Sequence, residues 1–535
     1  MRESRPLSEP AAVRRRRSGL VTAIALGLAG AACQGADVIS IGAAASTDFY
    51  ISPLGSDQDP GTRTRPWRTF HEAVSRIGPG STLTLLDGVY DAATTGPVDL
   101  RCGVTIANGT ATSPIVMRAD NQRRAFLRGN GKVPPFFMEG CSYWTIEGLR
   151  AESQDLPGAP DTPDAGSVFV LGRDNHDIAL RWLGLANPNR AVHSHVLRVG
   201  DGSSNITVED CELYTFHHNG FEVSRATGVV LRRNYVNARV TPDITIPGAY
   251  VSPYPDRGDV GFLLEETRFA ILENNIVEGV HDGFSIVGRY KDLPANNPVP
   301  AANPIEGNRL LGNVVLGPAG SGFLLESRCL NQNPCLDRTR IVAGTELTDN
   351  IVIGGHAGVA STGAVDTSIS QLTAVNTDFG VNLERTAENL GVTCNSATVN
   401  ALAVGFRQTG FSSSGENVWK FDHCAAIGTG GQAYVPNDAR VTSPVAVDPG
   451  LGTCLVYLPR GSPLAQAGAE SRPIGGQVVN RYEKGVLTTT PLWNRATGAF
   501  PCGDVIADLN GDPRLSCTGV SQRLHIGPAD SCPLP

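Results

Sequence analysis

The sequence predicts an all-β protein wound as a single-stranded solenoid of about 22 residues per turn, on three observations. A Gly followed by an apolar residue returns along the chain, at Gly220-Phe221, Gly261-Phe262, Gly283-Phe284, Gly322-Phe323, Gly358-Val359, Gly380-Val381 and Gly405-Phe406. Two of the gaps are 22 residues, from 261 to 283 and from 358 to 380, and a fixed period of that size signals stacked repeats. Around a central residue the apolar positions also keep constant offsets: Leu231-Asn234-Val236, Leu272-Asn275-Val277, Leu310-Asn313-Val315 and Leu347-Asn350-Val352. The composition agrees, since 535 residues hold 61 Gly and 36 Pro, which means many turns and enough chain for a large core. Leucine-rich βα units are excluded, because no stretch between these motifs carries helical apolar spacing.

The N-terminus reads as a targeting segment. Residues 1–33 are expected to be a signal peptide, with Arg14 to Arg17 as its positive region and Leu20 to Ala32 as an apolar run too short to span a bilayer comfortably. Two endings stay open. A peptidase cuts after the alanines, or Cys33 is lipidated, although Gly30 stands where a lipoprotein box usually has Leu. Either way export is expected, to the periplasm, the outer surface or the medium, and a lipid on Cys33 is the one foreseen membrane contact. Residues 34–47 read as a linker.

Export makes disulfides the default for the remaining cysteines. Twelve less Cys33 leaves eleven, an odd number, so at least one is free. Cys329 with Cys335, Cys102 with Cys141, and Cys517 with Cys532 are paired by proximity in sequence. Net charge is −8, which argues against nucleic acid as a partner, since phosphate binding needs a basic surface. A monomer is expected.

The repeat has a physical reading. Apolar residues in period-2 alternation face inward from short strands. The asparagine sits in a tight bend between two of them. If each unit is one turn of a coil, like positions stack about 4.8 Å apart, and stacked amides hydrogen-bond along the coil. The Phe rings stack inside in the same way, and the Gly before each marks a backbone turn. Weaker copies at Ile146-Leu149-Ala151, Leu180-Leu183-Leu185, Val208-Cys211-Leu213 and Ile369-Leu372-Ala374 extend the pattern. Cys211 thus takes an asparagine slot, and is the candidate for the buried free thiol.

The segment YISPLGSDQDPGTRTRPWRTFHEAV (Tyr50 to Val74), with STLTLLDGVY (Ser81 to Tyr90) and TATSPIVMRAD (Thr110 to Asp120), resembles the N-terminal part of right-handed parallel β-helix proteins of the pectate-lyase-like superfamily. In those proteins a strand, a Gly-Asp-Pro-Gly loop, an aromatic after Pro and a short amphipathic helix cap the coil. Here Ile51, Gly55 to Gly61, Pro66-Trp67 and Thr69 to Ile77 correspond. An open coil end exposes core and unpaired edges, so a cap is required. The likeness covers roughly Tyr50 to Gly131, and the repeats carry it to about Gly430. It implies a right-handed parallel β-helix over 48–430 and a glycan on the lateral face of the coil. Within Asp448 to Gly476, SPLAQAG and PIGG are similar to the segment where many such coils end, so 431–535 is expected to be a tail packed on the coil and pinned by disulfides. DLNGDP (Asp508 to Pro513) is read as a turn, since it lacks the spaced acidic ligands and final Glu of a calcium loop. No Asp-Asp pair, Gly-His-Gly or lysine–arginine pattern of known polysaccharide lyases or polygalacturonases is recognisable, so no catalytic residue is transferred.

Candidate chemistry comes from outward positions. Two residues before the Gly-apolar pairs stand His218, Asp259, His281, Gly320 and His356; one residue before stand Asn219, Val260, Asp282 and Ser321. On successive turns His218, Asp259 and His281 form a vertical file. The insertions Thr241 to Asp259 and Arg289 to Gly307 wall a groove with Tyr250, Tyr254, Arg257, Arg289, Tyr290 and Lys291. Tyrosines suit sugar stacking and arginines suit carboxylates. A uronate lyase needs a base, for which Lys291 and His281 qualify. It also needs a neutraliser for the carboxylate, for which Arg289, Arg257 or a calcium ion on acidic residues qualify. A hydrolase needs two carboxylates, for which Asp259 and Asp282 qualify. A solvated turn accounts equally well for any one of these residues taken alone. The expectation is an exported protein that binds and degrades a polysaccharide, by β-elimination rather than hydrolysis; the alternative is a non-catalytic adhesive rod. Lys291, His281, Asp282 and Arg289 are the catalytic candidates, with His218, Asn219, Tyr250, Tyr254, Arg257, Asp259 and Tyr290 as substrate contacts.

Overall fold

A computed structural model describes residues 47–154, 166–188, 195–238, 258–288, 305–327, 341–384, 395–414, 418–501 except 429, 436, 454, 460 and 495, and 517–526. Each turn of the chain lays down three strands, for example Ile271–Glu273, Ile276–Glu278 and Val280–Gly288. Each pairs in parallel with its counterparts on the turns before and after. The result is three long parallel sheets, called sheets 1, 2 and 3 in the order a turn visits them. Sheet 1 runs from Asp48–Ile51 to Val441–Thr442, sheet 2 from Gly88–Asp91 to Ala425–Ile427, and sheet 3 from Val98–Arg101 to Gln432–Val435. This is the expected parallel β-helix, with the right-handed crossover that parallel strands adopt.

The offsets in the sequence become vertical files. Leu231, Leu272, Leu310 and Leu347 pair turn to turn, as do Val236, Val277, Val315 and Val352. Phe221, Phe262, Phe284 and Phe323 form a third file, their rings stacked at 4.6, 4.7 and 5.1 Å. All are buried. Between sheets 1 and 2 the asparagines form the expected ladder. The Asn234 N–H and side-chain amide both donate to Asn275 Oδ1 at 3.0 Å, and Asn275 repeats this on Asn313 at 3.0 Å. The Asn275 amide also donates to the Leu231 carbonyl at 2.8 Å. Every polar atom of a buried corner is thereby satisfied. The residue before each rung takes a left-handed conformation, as at Arg233 (φ 53), Asn274 (φ 54), Gly312 (φ 63) and Asp349 (φ 55), which favours Asn, Asp and Gly.

Cys211 occupies its rung as expected, buried and free; its N–H donates to Asn234 Oδ1 at 3.1 Å. Burial pushes its thiol up to about 12. A second buried free cysteine, Cys424, stands immediately before the sheet 2 strand Ala425–Ile427, as Cys211 does before Glu212–Tyr214. The Cys102–Cys141 bond is present and Cys517 is disulfide-bonded. Cys33, Cys329, Cys335, Cys502, Cys532 and the Asp508–Pro513 turn lie outside the described residues.

Two sequence expectations need correcting. Gly283 does not mark a turn: it lies inside the strand Val280–Gly288, at an ordinary strand φ. A Cβ there would meet the Gly322 carbonyl at 2.6 Å and Val315 at 2.7 Å. The glycine file exists because sheet 2 valines of the following turn fill the space a side chain would need; Gly261 faces Val277 and Gly322 faces Val352 in the same manner. Nor does Gly405-Phe406 belong to the file. Its true member is Gly410-Phe411, since Phe411 pairs with Val381, while Gly405 (φ 66) turns the chain after the sheet 2 strand Leu402–Val404.

At the N-terminal end, the helix Phe70–Arg76 starts at Thr69, whose hydroxyl accepts from the Glu72 N–H at 3.3 Å. Asp57 accepts from the N–H groups of Arg68 and Thr69 at 2.9 Å, which ties the preceding loop to the helix. At the other end the chain returns along sheet 2. Val478, Leu492, Trp493 and Val520 pack on Tyr214, Tyr235, Ile276, Val314 and Ile351. The hairpin Asn480–Glu483/Val486–Pro491 clasps the asparagine corner. The Lys484 and Gly485 N–H groups donate to the buried Glu273 carboxylate at 2.8 and 3.0 Å, and the Tyr482 hydroxyl donates to Asp349 at 2.6 Å. No helix among the described residues is long and apolar enough to cross a membrane.

Two predictions follow from these contacts. Asn275→Ala orphans the Asn234 N–H and the Leu231 carbonyl, and is expected to cost about 3 kcal/mol, read as a lower urea midpoint. Burial raises the Asp349 carboxyl from 3.8 to about 6 despite its bond from Tyr482. Between those values the folded chain holds a proton that the unfolded chain has lost, so this group makes stability fall as pH rises through that window. Asp349→Asn, which also suits the left-handed corner, should flatten the melting temperature against pH across the window and raise it at neutral pH.

Candidate functional site

The pairing of sheet 3 aligns His195, Asn219, Val260 and Asp282 in one file. One residue earlier on each strand, His218, Asp259 and His281 fall on successive turns, which is the file the spacing predicts. Their side chains meet carboxylates. His218 Nε2 lies 4.0 Å from Asp259 Oδ2, and His281 Nδ1 lies 3.0 Å from Asp282 Oδ2. The Ser321 N–H of the next turn donates to Asp282 Oδ1 at 2.7 Å, so both oxygens of this carboxylate are engaged. Gly320 makes room for the pair, since a Cβ there would come within 2.5 Å of the His281 ring and of Asp282 Oδ1. Farther along, His356 Nδ1 is 3.0 Å from Asp378, and Arg407 holds the Asp378 carboxyl below its usual range.

A fourth pair went unnoticed in the sequence. His195 is buried, with Nε2 2.9 Å from Glu222 Oε2, and its ring lies 5.1 Å from that of His218. The Asn219 amide nitrogen is 3.3 Å from His195 Nδ1. Burial alone would raise the Glu222 carboxyl; His195, Arg198 and the Ser224 hydroxyl outweigh it and hold the group well below the usual range. Glu222 is therefore a fixed anion that orients His195, not a proton donor. The signal available was register: His195 precedes Leu197 as Asn219 precedes Phe221, but Val196 stands where the other turns carry the marker glycine.

The Glu222 file continues toward the N-terminal turns through Arg198, Val170, Phe137 and Asp99. There the outer face of sheet 3 opens into a cavity of about 520 Å³, lined by the cations Arg101, Lys132, Arg173 and Arg198, by Phe137, and by the acidic Asp99, Glu139 and Asp201. The Arg101 guanidinium lies 4.6 Å from the centre of the Phe137 ring, and Glu139 pairs with Arg101 at 3.1 Å and with Arg173 at 3.5 Å. Sequence reasoning missed this lining because its cations come from separate turns with no repeated offset.

Of the residues nominated from sequence, His218, Asn219, Asp259, His281 and Asp282 are thus brought together on one face. Tyr250, Tyr254, Arg257, Arg289, Tyr290 and Lys291 lie outside the described residues. Among the described residues no group of three or more His, Cys, Asp or Glu side chains has the geometry to hold a metal ion.

No family model matches the chain. Among curated proteins it is similar to the uncharacterized protein YwoF of Bacillus subtilis (strain 168), at 26% identity over 134 residues, which is 24% of this chain and 26% of that protein's length. Solved structures of similar outline include a rhamnogalacturonan lyase, with TM-score 0.45 and 14% identity over 62% of this chain and 83% of that one. Pectate lyase Pel9A gives 0.43 and 13% over 80% and 96%, and the PL6 family alginate lyase AlyGC gives 0.45 and 13% over 82% and 59%. None of these likenesses bears on the chemistry of the site, which rests on its own residues.

Gly320→Ala is expected to separate His281 from Asp282 without disturbing the core. Imidazole signals in NMR spectra should report it: the His281 resonances shift while those of His195 stay in place.

Proposed function

We propose that the outer face of sheet 3 binds an extended acidic polysaccharide and cleaves it by β-elimination. The observation that carries this reading is a histidine–carboxylate file continuous, along one sheet face, with a lining of Arg101, Lys132, Arg173 and Arg198. A straight face of parallel strands suits a linear chain, cations suit its carboxylates, and an aromatic such as Phe137 suits a sugar ring. His281 serves as the base for the proton beside the uronate carboxylate; the electron pair left behind forms the new double bond and expels the glycosidic oxygen from the adjacent carbon, and that oxygen takes its proton from solvent. Asp282 accepts from Nδ1 and so leaves the lone pair on Nε2. Asp282 itself is engaged at both oxygens, which suits an orienting carboxylate and speaks against a hydrolase that uses it as acid. Arg289 or Arg257 neutralises the substrate carboxylate, with a calcium ion as the other way to do so, and Lys291 stands as the alternative base. The proposal takes the chain to be exported, as its N-terminal segment and the Cys102–Cys141 bond suggest.

The test is incubation of the full chain with a panel of uronate polysaccharides, following the ultraviolet absorbance of the unsaturated product alongside new reducing ends and binding. Absorbance is expected on at least one substrate. His281→Ala should lower the rate about 100-fold or more, and Asp282→Asn less, since it only misorients the base. Reducing ends without absorbance would make the protein a hydrolase. Binding with neither product would make it an adhesive rod.

A further inference from the structure

A second site lies on the outer face of sheet 1, and its argument does not rest on the reading of the sheet 3 groove. Along that face Arg118, Glu147, Arg181, Glu209, Arg232 and Glu273 pair turn to turn, alternating in sign. From Arg181 onward the file neutralises itself. Arg181 and Arg232 both bond Glu209 at 2.7 Å, and Arg232 lies 3.8 Å from Glu273. Among the described residues the first two members form no ion pair. Arg118 donates only a long bond to Thr84, at 3.4 Å. Both instead line a cavity of about 460 Å³, with Asp120, Gln122, Gly148 and Trp182.

Trp182 is the second anomaly. It stands immediately before its rung, where the coil imposes a left-handed backbone, and has φ 54. Most other turns put Gly, Asp or Asn there, at Gly148, Asp210, Asn274, Gly312, Asp349 and Asn400, and the larger exceptions Arg233, Gln371 and His423 are all polar. A bulky residue is disfavoured at such a position, and this one is 40% exposed. Its backbone is pinned: its carbonyl accepts from Arg123 Nε at 3.1 Å and its N–H donates to the Glu209 backbone carbonyl at 3.2 Å. Buried Arg123 is itself paired with Glu212. The coil needs no indole here, yet fixes one at the rim of a polar cavity.

We infer that this cavity binds a neutral sugar ring. The indole offers a flat apolar surface for the ring face. Hydroxyl groups both donate and accept, so neighbouring hydroxyls satisfy the Arg118 guanidinium and the Glu147 carboxylate together, with the Gln122 amide able to serve either role. An acidic sugar is disfavoured, because its carboxylate would face Glu147 and Asp120, and Arg63 already binds both oxygens of Asp120 at 2.7 and 2.6 Å. The two faces therefore differ in ligand class: charged sugar on sheet 3, neutral sugar on sheet 1.

Fluorescence reads this site selectively, because Trp67, Trp144, Trp419 and Trp493 are 1–2% exposed. The full chain is titrated with linear oligosaccharides of glucose, mannose, xylose and galactose, and with oligogalacturonate, following acrylamide quenching. At least one neutral series is expected to protect Trp182 saturably, while oligogalacturonate does not. By calorimetry, Trp182→Asn should weaken binding of that neutral series about tenfold or more, and Arg118→Met and Glu147→Gln should each weaken it several-fold. Asn suits the left-handed corner, so Trp182→Asn should fold, melt no lower than the parent, and leave any uronate product formation unchanged. Protection by no neutral oligosaccharide, equal protection by oligogalacturonate, or affinity that survives Trp182→Asn would overturn the inference, whether or not the groove on sheet 3 cleaves anything.

Discussion

The asparagine corner is the constraint on which the rest of the structure depends. Its amides bond only if every turn returns one residue to the same place at the spacing of paired strands, about 4.8 Å. The chain meets that condition by keeping this corner at two residues from Glu147 onward; its one longer passage, Asp120 to Arg124, precedes the asparagine rungs. Two residues join Glu273 to Ile276, Arg232 to Tyr235, Leu311 to Val314 and Thr348 to Ile351. From Glu147 onward the variation in turn length falls at the other two corners. From sheet 2 to sheet 3 the chain takes one residue after Glu278 but many after Asn237. Insertions therefore flank sheet 3, and the face they flank carries the histidine–carboxylate file. The position of the candidate site follows from where the ladder forbids extra chain.

The inner files were legible because repetition removes chance. One Leu-x-x-Asn-x-Val means little, but four in register name the inward positions, and Leu272, Asn275 and Val277 lie where their offsets place them. The glycines were found but misread. Their cause is a valine one turn on, such as Val315 over Gly283, and a contact between sheets leaves no trace in the local pattern around either residue. The outer face shows the same division. His218, Asp259 and His281 were legible because the glycine marker fixed their offset. His195 and Glu222 were not, because Val196 replaces the marker and the partners belong to different strands. The cations of the cavity share no offset at all.

Charge and burial then sort the three outer faces. Sheet 2 presents Tyr214, Tyr235, Ile276, Val314 and Ile351, an apolar stripe that water would oppose, and the C-terminal segment covers it. That cover is anchored by charged and polar contacts: Glu483 to Arg232 and Arg233, and Glu273 to the backbone of Lys484 and Gly485. Glu273 therefore ends the sheet 1 charge file and holds the tail at once. A single surface network fixes the tail and neutralises most of sheet 1.

What is left after this neutralisation is informative. A solvated salt bridge contributes little to stability, so a file of alternating Arg and Glu is best explained by the need to place like strands in register without stacking like charges. That need holds equally at Arg118 and Glu147, which alternate in sign but do not close. On sheet 3 the same logic runs in reverse, because like types, His218 and His281, stand two turns apart with Asp259 between them, and each histidine takes its own carboxylate. A coil needs only inward apolar files, one satisfied corner and covered ends. Outward groups whose arrangement none of these requirements explains are then few: the histidine pairs and cations of sheet 3, and the open end of the charge file beneath Trp182. Among the described residues, the candidate surface for a ligand narrows to those two groups.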